Sequence, residues 1–489
     1  MTTTDTPLIG ASSRVIHWDT LNWRAIEQRV LRLQMRIAKA TRERRWGKVK
    51  ALQWLLTHAF SAKLLAVQRV TSNTGRNTPG VDGQIWRTPA QKLNGTLSLR
   101  RRGYRTQPLR RIYIPKKSGK RRPLGIPVMA DRAQQALHLL ALEPVAEMQA
   151  DPNAYGFRPK RSAADAIAQC FNILAQRKAA RWILEGDIKA CFDQISHTWL
   201  REHVPMDKSV LGKWLAAGYM EDGKVYPTEA GTPQGGIASP VLANMALDGL
   251  EGVAQQVAPR QQVYVVKYAD DFIISGSSKE VLEEQVKPAV MAFLRERGLE
   301  LSEEKTRITP IDDGFDFLGF NVRKYNGKLL IKPAKAAVKR MLINIRELLK
   351  TNPTAKTENL IRQLNRKLRG WANYYRHVVS KKIFAYVDHQ VFQALLTWIN
   401  RRHPNKSARW KQKRYFRRQG LRQWVFFSTF RDVRGQQGHL DLYSMASTPI
   451  GVSLDIENYC TLRWFFVPLS SGGAQAALSE EQTFVLESP

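Results

Sequence analysis

Residues 263–275 read Val-Tyr-Val-Val-Lys-Tyr-Ala-Asp-Asp-Phe-Ile-Ile-Ser, two short runs of β-branched and aromatic residues pinched around adjacent aspartates. Runs of this length and composition form strands, so Asp270 and Asp271 fall at the tip of a hairpin. Neighbouring carboxylates there repel each other unless a cation joins them. Divalent magnesium, bound through carboxylate oxygens, is such a cation and the usual agent of nucleotidyl transfer. Aspartate is also common in ordinary turns, so the pair gains its meaning from the segments around it.

The first of those constraints is charge. The 489 residues include 77 Lys and Arg against 42 Asp and Glu, a formal net charge of +35. That excess points to a polyanionic partner, nucleic acid before membrane, and no apolar run approaches the roughly 20 residues of a spanning helix. At 43% hydrophobic residues the chain can bury sizeable cores. Its N-terminus lacks the basic start and apolar stretch of a signal peptide. Cys170, Cys191 and Cys460 form no Cys-x-x-Cys pair, which argues against a disulfide framework or a zinc module and fits a reducing cytoplasm. From Gly435 onward Arg463 is the only Lys or Arg, set against six acidic residues, so the rest of the chain carries about +40.

Apolar residues at Trp23, Ile26, Val30, Leu33 and Ile37 predict an amphipathic helix. Leu52, Leu55, Leu56, Ala59, Leu64 and Val67 predict a second, and a solvated helical pair accounts for both. The Gly, Pro and Asn content of Thr74–Gly83 predicts a loop. Residues 110–127 read as a basic hairpin turning at Ser118-Gly119, with Lys116 and Arg122 placed to clamp a triphosphate; a charge run can equally be a solvated face. A helix is expected from Ala163 to about Leu174, a buried strand over Trp182–Asp187, and a glycine-bearing turn from Gly231 into an apolar helix. Phe315–Phe320 reads as one aromatic strand with a central glycine. Beyond Lys332 the pattern is helical and basic, through 340–350, 360–377 and 383–402.

In order, these segments form a constellation. Asp187 closes one strand and Asp270-Asp271 tip a hairpin, and three carboxylates from neighbouring strands can hold two magnesium ions. The chain resembles a group II intron-encoded reverse transcriptase with maturase function, over roughly residues 15–430. The resemblance rests on seven blocks in family order. Arg111-Ile-Tyr-Ile-Pro-Lys116 with Arg121-Arg-Pro-Leu-Gly-Ile-Pro127 looks like the fingertip block, and Tyr155-Gly-Phe-Arg-Pro-Lys-Arg-Ser162 like the block after it. Asp187-Ile-Lys-Ala-Cys-Phe-Asp193 is similar to palm motif A, Thr232-Pro-Gln-Gly-Gly-Ile-Ala-Ser-Pro240 to motif B and Tyr268-Ala-Asp-Asp271 to motif C. Leu301-Ser-Glu-Glu-Lys-Thr306 resembles motif D and Phe317-Leu-Gly-Phe320 the primer grip. Arg369-Gly-Trp-Ala-Asn-Tyr-Tyr-Arg376 additionally looks like the maturase-associated thumb helix.

The resemblance implies roles. Asp187, Asp270 and Asp271 are the expected metal ligands, with the backbone of Ile188 as a further one, for two Mg2+ ions. Lys116 and Arg122 clamp the triphosphate. Phe192 packs against the sugar C2′ and excludes a 2′-hydroxyl, a role compatible with a core position. Gln234 and Gly235 shape the nucleotide pocket, and Lys305 protonates the leaving pyrophosphate or is an ordinary turn residue. Asp193 orders the motif A turn. Arg366, Lys367, Arg369 and Arg376 contact RNA, while Leu364, Leu368, Trp371 and Tyr375 form the buried stripe of the same helix.

The implied fold is α+β, a right-hand polymerase whose palm holds an antiparallel sheet. Residues 1–83 are an N-terminal helical extension, 84–325 fingers and palm, 330–402 a thumb and maturase domain, and 403–489 a DNA-binding region with a low-charge tail. Many relatives end in a His-Asn-His nuclease with paired cysteines. Cys460 alone cannot build such a site, so no endonuclease domain is expected. The implied function is RNA-directed DNA polymerisation in retrohoming together with splicing support, in the bacterial cytoplasm. The implied partners are group II intron RNA, an RNA template with DNA primer, target DNA and deoxynucleoside triphosphates. Two other readings stay open: an RNA-binding splicing cofactor with secondary polymerase activity, and a relative recruited to host defence or DNA repair.

Overall fold

A computed structural model describes residues 17–115, 121–431 and 435–451. The N-terminal helices are α1 (Trp23–Arg42), α2 (Trp46–His58), α3 (Phe60–Ser72) and α4 (Pro89–Ser98). α1 begins where the Asn22 side chain accepts the Ala25 N–H. α4 begins in a Thr88–Gln91 capping box followed by proline. The apolar spacing expected to make one helix over 52–67 is split, because Ala59 is extended (ψ 127°) between α2 and α3. A one-residue break leaves the spacing of Leu52, Leu56, Leu64 and Val67 nearly intact, so periodicity does not reveal it. The helices are also not a solvated pair. Their apolar faces bury Val30, Ile37, Leu56 and Val67 in one core with Ala133, Leu137 and Val145 of the helix described next.

The fingers strands β1 (Leu109–Pro115) and β2 (Arg121–Ile126) pair antiparallel, from Arg110 opposite Ile126 to Pro115 opposite Arg121. Helix α5 (Met129–Gln149) follows and is buried along most of its length. Its polar side chains are mostly satisfied inside. Arg132 donates to the carbonyls of Pro127, Gly75 and Thr78, which fixes the 74–83 loop. Then come α6 (Ala163–Leu174), β3 (Trp182–Asp187), α7 (Cys191–Gln194), α8 (His197–His203), α9 (Lys208–Leu215), β4 (Tyr219–Glu221) and β5 (Lys224–Tyr226). β4 and β5 extend the fingers sheet in the order β2-β1-β4-β5.

The palm is completed by α10 (Ser239–Leu247), α11 (Leu250–Val257), β6 (Val265–Tyr268), β7 (Asp271–Gly276), α12 (Lys287–Arg295) and β8 (Arg307–Pro310). Its sheet runs β6-β7-β3-β8, with every neighbour antiparallel. Alternate residues serve opposite faces, as the pleat requires. Ile183, Val266 and Ile273 enter a core shared with α6 and the thumb, whereas Leu184, Val265, Phe272 and Ile274 enter one shared with α10, α11 and α12. Both faces are covered, so the polar end of the sheet at Asp187 and Asp271 is where chemistry can reach it.

Beyond the palm lie β9 (Phe315–Phe317), β10 (Phe320–Tyr325) and β11 (Lys328–Pro333), then α13 (Lys335–Thr351), α14 (Thr357–Tyr375), α15 (Lys381–Arg402), α16 (Ala408–Tyr415), β12 (Phe416–Gln419), β13 (Arg422–Arg431) and β14 (Gln437–Asp441). Phe315–Phe320 is therefore a hairpin and not one strand: Leu318 and Gly319 have φ of 51° and 79°, and Phe317 pairs back onto Phe320. Helix α14 holds that turn, since Tyr374 and Tyr375 donate their hydroxyl hydrogens to the carbonyls of Leu318 and Gly319. The antiparallel sheet β12-β13-β14 was not legible in a stretch read as a basic region and tail. Asn365 of α14 clips onto it, donating to the Asp441 carbonyl and accepting from the Tyr443 N–H. Asp388 accepts from Ser444, Met445 and Ala446, so residues 437–448 are docked on the thumb. Cys460, Arg463 and the rest of the expected tail from 452 lie outside the described residues, as does the N-terminus before 17.

One buried charge cluster anchors the palm. Lys267, in the middle of β6, is 1% exposed. Its ammonium donates to Asp151 at 3.1 Å, to Asp248 at 3.1 Å and to the Leu247 carbonyl at 2.6 Å. Burial raises the Asp248 carboxyl, and Lys267 opposes that rise. The cluster joins the hairpin strand to the end of α10 and to the loop after α5. Removing one member of a buried ion cluster strands the remaining charges at a cost of about 3–5 kcal/mol. We expect Lys267→Met to lower the urea midpoint accordingly, and neutralising Asp151 and Asp248 as well (Asp→Asn) to recover part of the loss. An unchanged midpoint in the single variant would contradict the anchoring role.

Candidate active site

The antiparallel register sets Asp187, the last residue of β3, directly opposite Asp271, the first of β7. Tyr268 pairs with Asp271 to close the β6–β7 hairpin, leaving Ala269, with φ of 56°, and Asp270 at its tip. Gly156 is wedged beneath that tip: a Cβ there would lie 2.2 Å from the Ala269 nitrogen. The Tyr155 N–H donates to the Lys267 carbonyl and the Asn244 amide to the Gly156 carbonyl, so the Tyr155–Arg158 loop supports the hairpin from below.

The electrostatics follow from crowding. Asp271 keeps solvent-exposed surface at the strand end, yet protein encloses most of its surroundings. Burial first, then the charges of Asp270 and Asp187 and a hydrogen bond that its protonated form donates to Asp187, raise its carboxyl well above the usual range. Asp270 is raised by burial and by Asp187, with Arg122 and Lys305 opposing. Arg122 of β2 is thus near enough to act on the hairpin tip from across the fingers. Lys305 donates to Asp187 Oδ2 at 3.0 Å. Partial burial pulls its pKa down, but the hydrogen bond and charge of Asp187 outweigh this and raise it. In this arrangement Lys305 is a counter-charge for Asp187.

Among the described residues no three His, Cys, Asp or Glu side chains are gathered as a ready metal cage. The donor set nonetheless fits a hard divalent cation, because it consists of crowded carboxylates, of which Asp270 and Asp271 are raised by burial and by their neighbours' charge. The backbone beside them is fixed: Ser302 N–H donates to the Asp187 carbonyl, Lys189 N–H to the Glu300 carbonyl, and Ile188 is buried in a bridge to Leu301.

Of the remaining expected site residues, Phe192, Gln234 and Gly235 are fixed by contacts with neighbouring segments. Phe192 is half-buried and meets the Phe157 ring edge to face at 5.9 Å. Gln234 donates to both Asp193 oxygens, at 3.2 and 3.1 Å, and its carbonyl accepts the Gly125 N–H at 2.8 Å. Gly235 has φ of 110°, and a Cβ there would lie 2.8 Å from the Gly125 carbonyl. The loop after β5 is therefore locked to both β2 and the motif A turn. Lys116 lies outside the described residues. Arg366, Arg369 and Arg376 are exposed on α14 and its cap, whereas Lys367 is half-buried. Leu364, Leu368, Trp371 and Tyr375 are all buried, and Arg369 also lies over the Tyr443 ring at 5.2 Å.

Three residues escaped sequence reasoning. Phe157 holds a left-handed backbone, φ 58°, unusual for a bulky residue. Arg158 pins it, donating to both Glu147 oxygens and to the Asp151 and Ala154 carbonyls. Lys267 is the third, and its signal was a lysine inside an otherwise buried strand.

Comparison with known proteins identifies three family regions along the chain. The reverse transcriptase (RNA-dependent DNA polymerase) family model matches residues 114–322, the N-terminal domain of reverse transcriptase 18–99, and the group II intron maturase-specific domain 338–416. Protein YkfC of Escherichia coli (strain K12) is 33% identical over 303 residues, covering 52% of this chain and 79% of that protein. The group II intron-encoded protein LtrA of Lactococcus lactis subsp. cremoris is 31% identical over 328 residues, 53% of this chain and 54% of its own length. The chain belongs to the group II intron-encoded reverse transcriptases. It therefore carries an RNA-directed DNA polymerase domain joined to a maturase domain on a right-hand α+β fold, and this chain spans about half the length of LtrA. Among solved structures, telomerase from Candida albicans in complex with a TWJ fragment of telomeric RNA is a distant likeness, with 12% identity, a TM-score of 0.37 and coverage of 63% of this chain and 64% of that one. Family membership brings a general dependence on divalent metal and on nucleic-acid substrates. Among the described residues no helix is long and apolar enough to cross a membrane.

We propose that the Phe192 ring limits space at the C2′ of the incoming sugar. Phe192→Ala is expected to raise the kcat/KM for a ribonucleotide relative to its deoxyribonucleotide on one template. An unchanged ratio would leave Phe192 a packing partner of Phe157 alone.

Proposed function

We propose that the chain copies a group II intron RNA into DNA from a primer 3′-hydroxyl and binds the same RNA to support its splicing. The observation that carries the polymerase half is the register pairing of Asp187 with Asp271, with Asp270 at the adjoining tip. These three carboxylates would hold two Mg2+ ions, which supply Lewis-acid activation of the hydroxyl and charge neutralisation at the triphosphate. Arg122, with Lys116 of the same basic segment, binds the triphosphate as a cationic clamp. Phe192, backed by Phe157, limits space at C2′. Gln234 and Gly235, tied to β2 and Asp193, form the floor under the nucleotide. Lys305 balances the charge of Asp187 and gives way as cation and triphosphate arrive.

The maturase half rests on α14. Its apolar stripe is buried and most of its cations face solvent, as a helix laid along a phosphate backbone requires. Residues 403–431, rich in Arg and Lys, extend that surface towards a target DNA.

Asp270→Asn is expected to abolish extension of a DNA primer on an RNA template while RNA binding persists. A loss of about 4 kcal/mol in transition-state stabilisation is roughly a thousandfold in rate. Near-wild-type extension would sink the assignment. For the maturase half, Arg366→Ala with Arg369→Ala is expected to weaken intron binding and flatten its log–log salt dependence by somewhat under one unit per lost phosphate contact. Extension of a short preannealed primer is expected to change less. An unaltered slope, or equal losses in both assays, would contradict a separate RNA-anchoring surface.

A further inference from the structure

The thumb carries a second concavity that the polymerase reaction does not use. An open groove of about 720 Å³ lies between α15, α16 and β12–β13, lined by Phe392, Leu396, Ile399, Phe416 and Trp424 with His389, Asn400, Lys411 and Gln412 among them. Its aromatic wall is ordered. Trp424 stands edge-on to Phe392 at 6.2 Å and 88°, and against Phe416 at 5.4 Å and 61°. Phe392 and Phe416 are in turn 5.5 Å apart. Phe416 is buried, but Trp424 remains 47% exposed, so a large ring face is left uncovered. On the polar side, Lys411 Nζ donates to Asn400 Oδ1 at 2.9 Å, which orients the amide.

The surroundings of this apolar floor are cationic. Residues 401–431 contain eleven Lys and Arg and no Asp or Glu. Arg409, Lys413, Arg414, Arg418 and Arg422 are exposed. The acidic side chains that approach from elsewhere are engaged, Asp441 with Arg417 and Asp388 with residues 444–446. An apolar peptide seated here would desolvate that rim without neutralising it. A nucleotide matches both parts at once, with a π-face for the tryptophan and phosphates on either side for the cations.

We propose that this groove is a nucleobase-binding site, in which one unstacked base of a single-stranded segment lies against Trp424 while its flanking phosphates meet the α16 and β12–β13 cations. The amide groups of Asn400 and Gln412 and the His389 ring contact the base edge. The proposal rests on the chain being a nucleic-acid polymerase, and it adds a base contact outside the palm to a surface otherwise reading only phosphate. RNA and DNA strands share the chemistry used here.

The test uses the full chain and short single-stranded oligonucleotides of RNA and of DNA, titrated at several salt concentrations, each in an intact form and with abasic residues. Trp424→Ala is expected to weaken binding of the intact strand about tenfold with an unchanged salt slope, in keeping with the stacking of one base on an aromatic ring. Trp424→Phe should keep most of the affinity, which separates stacking from loss of fold. Lys413→Ala with Arg414→Ala should flatten the slope instead. With abasic strands the Trp424→Ala loss should vanish, and whichever strand type shows it identifies the ligand. Equal loss on intact and abasic strands, no loss on either, or a change of oligomeric state in place of altered binding would overturn the proposal. Primer extension by the wild type is read alongside: extension that is intact while Trp424→Ala binds normally rejects the groove alone, whereas absent extension rejects the polymerase reading.

Discussion

Like-charge repulsion at one end of an antiparallel sheet is the constraint on which the rest of this structure depends. Register puts Asp187 opposite Asp271 and the hairpin turn adds Asp270 beside them. The charge of Asp187 raises the carboxyls of both Asp270 and Asp271, and that of Asp270 raises Asp271 further. The fold meets this load below the hairpin. Lys267, between two buried carboxylates and a helix-end carbonyl, ties β6 to α10 and to the loop after α5, and Gly156 lets that loop come into contact with the hairpin backbone. A positive group buried in the palm core thus holds in place a negative group exposed at its edge.

The same economy of contacts runs outward. Helix α5 is the floor of the N-terminal helices, and the motif B loop before α10 is built on it, since the Gln135 side chain accepts the Ile237 N–H. The motif B loop in turn touches β2 through Gly125 and motif A through Asp193. A shift of β2 is therefore felt at the motif B loop. On the other side, α14 reaches the β9–β10 turn with two tyrosine hydroxyls and the C-terminal sheet with Asn365, so the maturase helix and the palm share one packed core.

Much of this was legible in sequence because the signals were local. The β6–β7 hairpin, the strand ending at Asp187, α6, α10 and the three long thumb helices each carry their own periodicity and boundary residues. What escaped was what periodicity cannot encode. The break at Ala59 leaves the apolar spacing undisturbed, and Phe315–Phe320 hides a turn that needs positive φ at Leu318 as well as at its glycine. The Lys267 cluster unites positions 151, 248 and 267, whose separation in the chain gives no local pattern. The strands within 416–441 were hidden in a stretch read as a basic region and tail, because their apolar residues pack on one another and on helices distant in the chain. The contact of Lys305 with Asp187 joins positions 118 residues apart, and no local pattern announces it.

The central claim is that the Asp187–Asp270–Asp271 edge works by holding divalent cations against a nucleic-acid substrate. Its most direct test is single-turnover extension of a DNA primer on an RNA template across a magnesium titration, with the wild type beside Asp271→Asn. The account predicts no extension in chelator, a steep rise with magnesium in the wild type, and a collapse of that rise in the variant while RNA binding is kept. Extension that persists without divalent metal, or an unchanged magnesium response in Asp271→Asn, would contradict it.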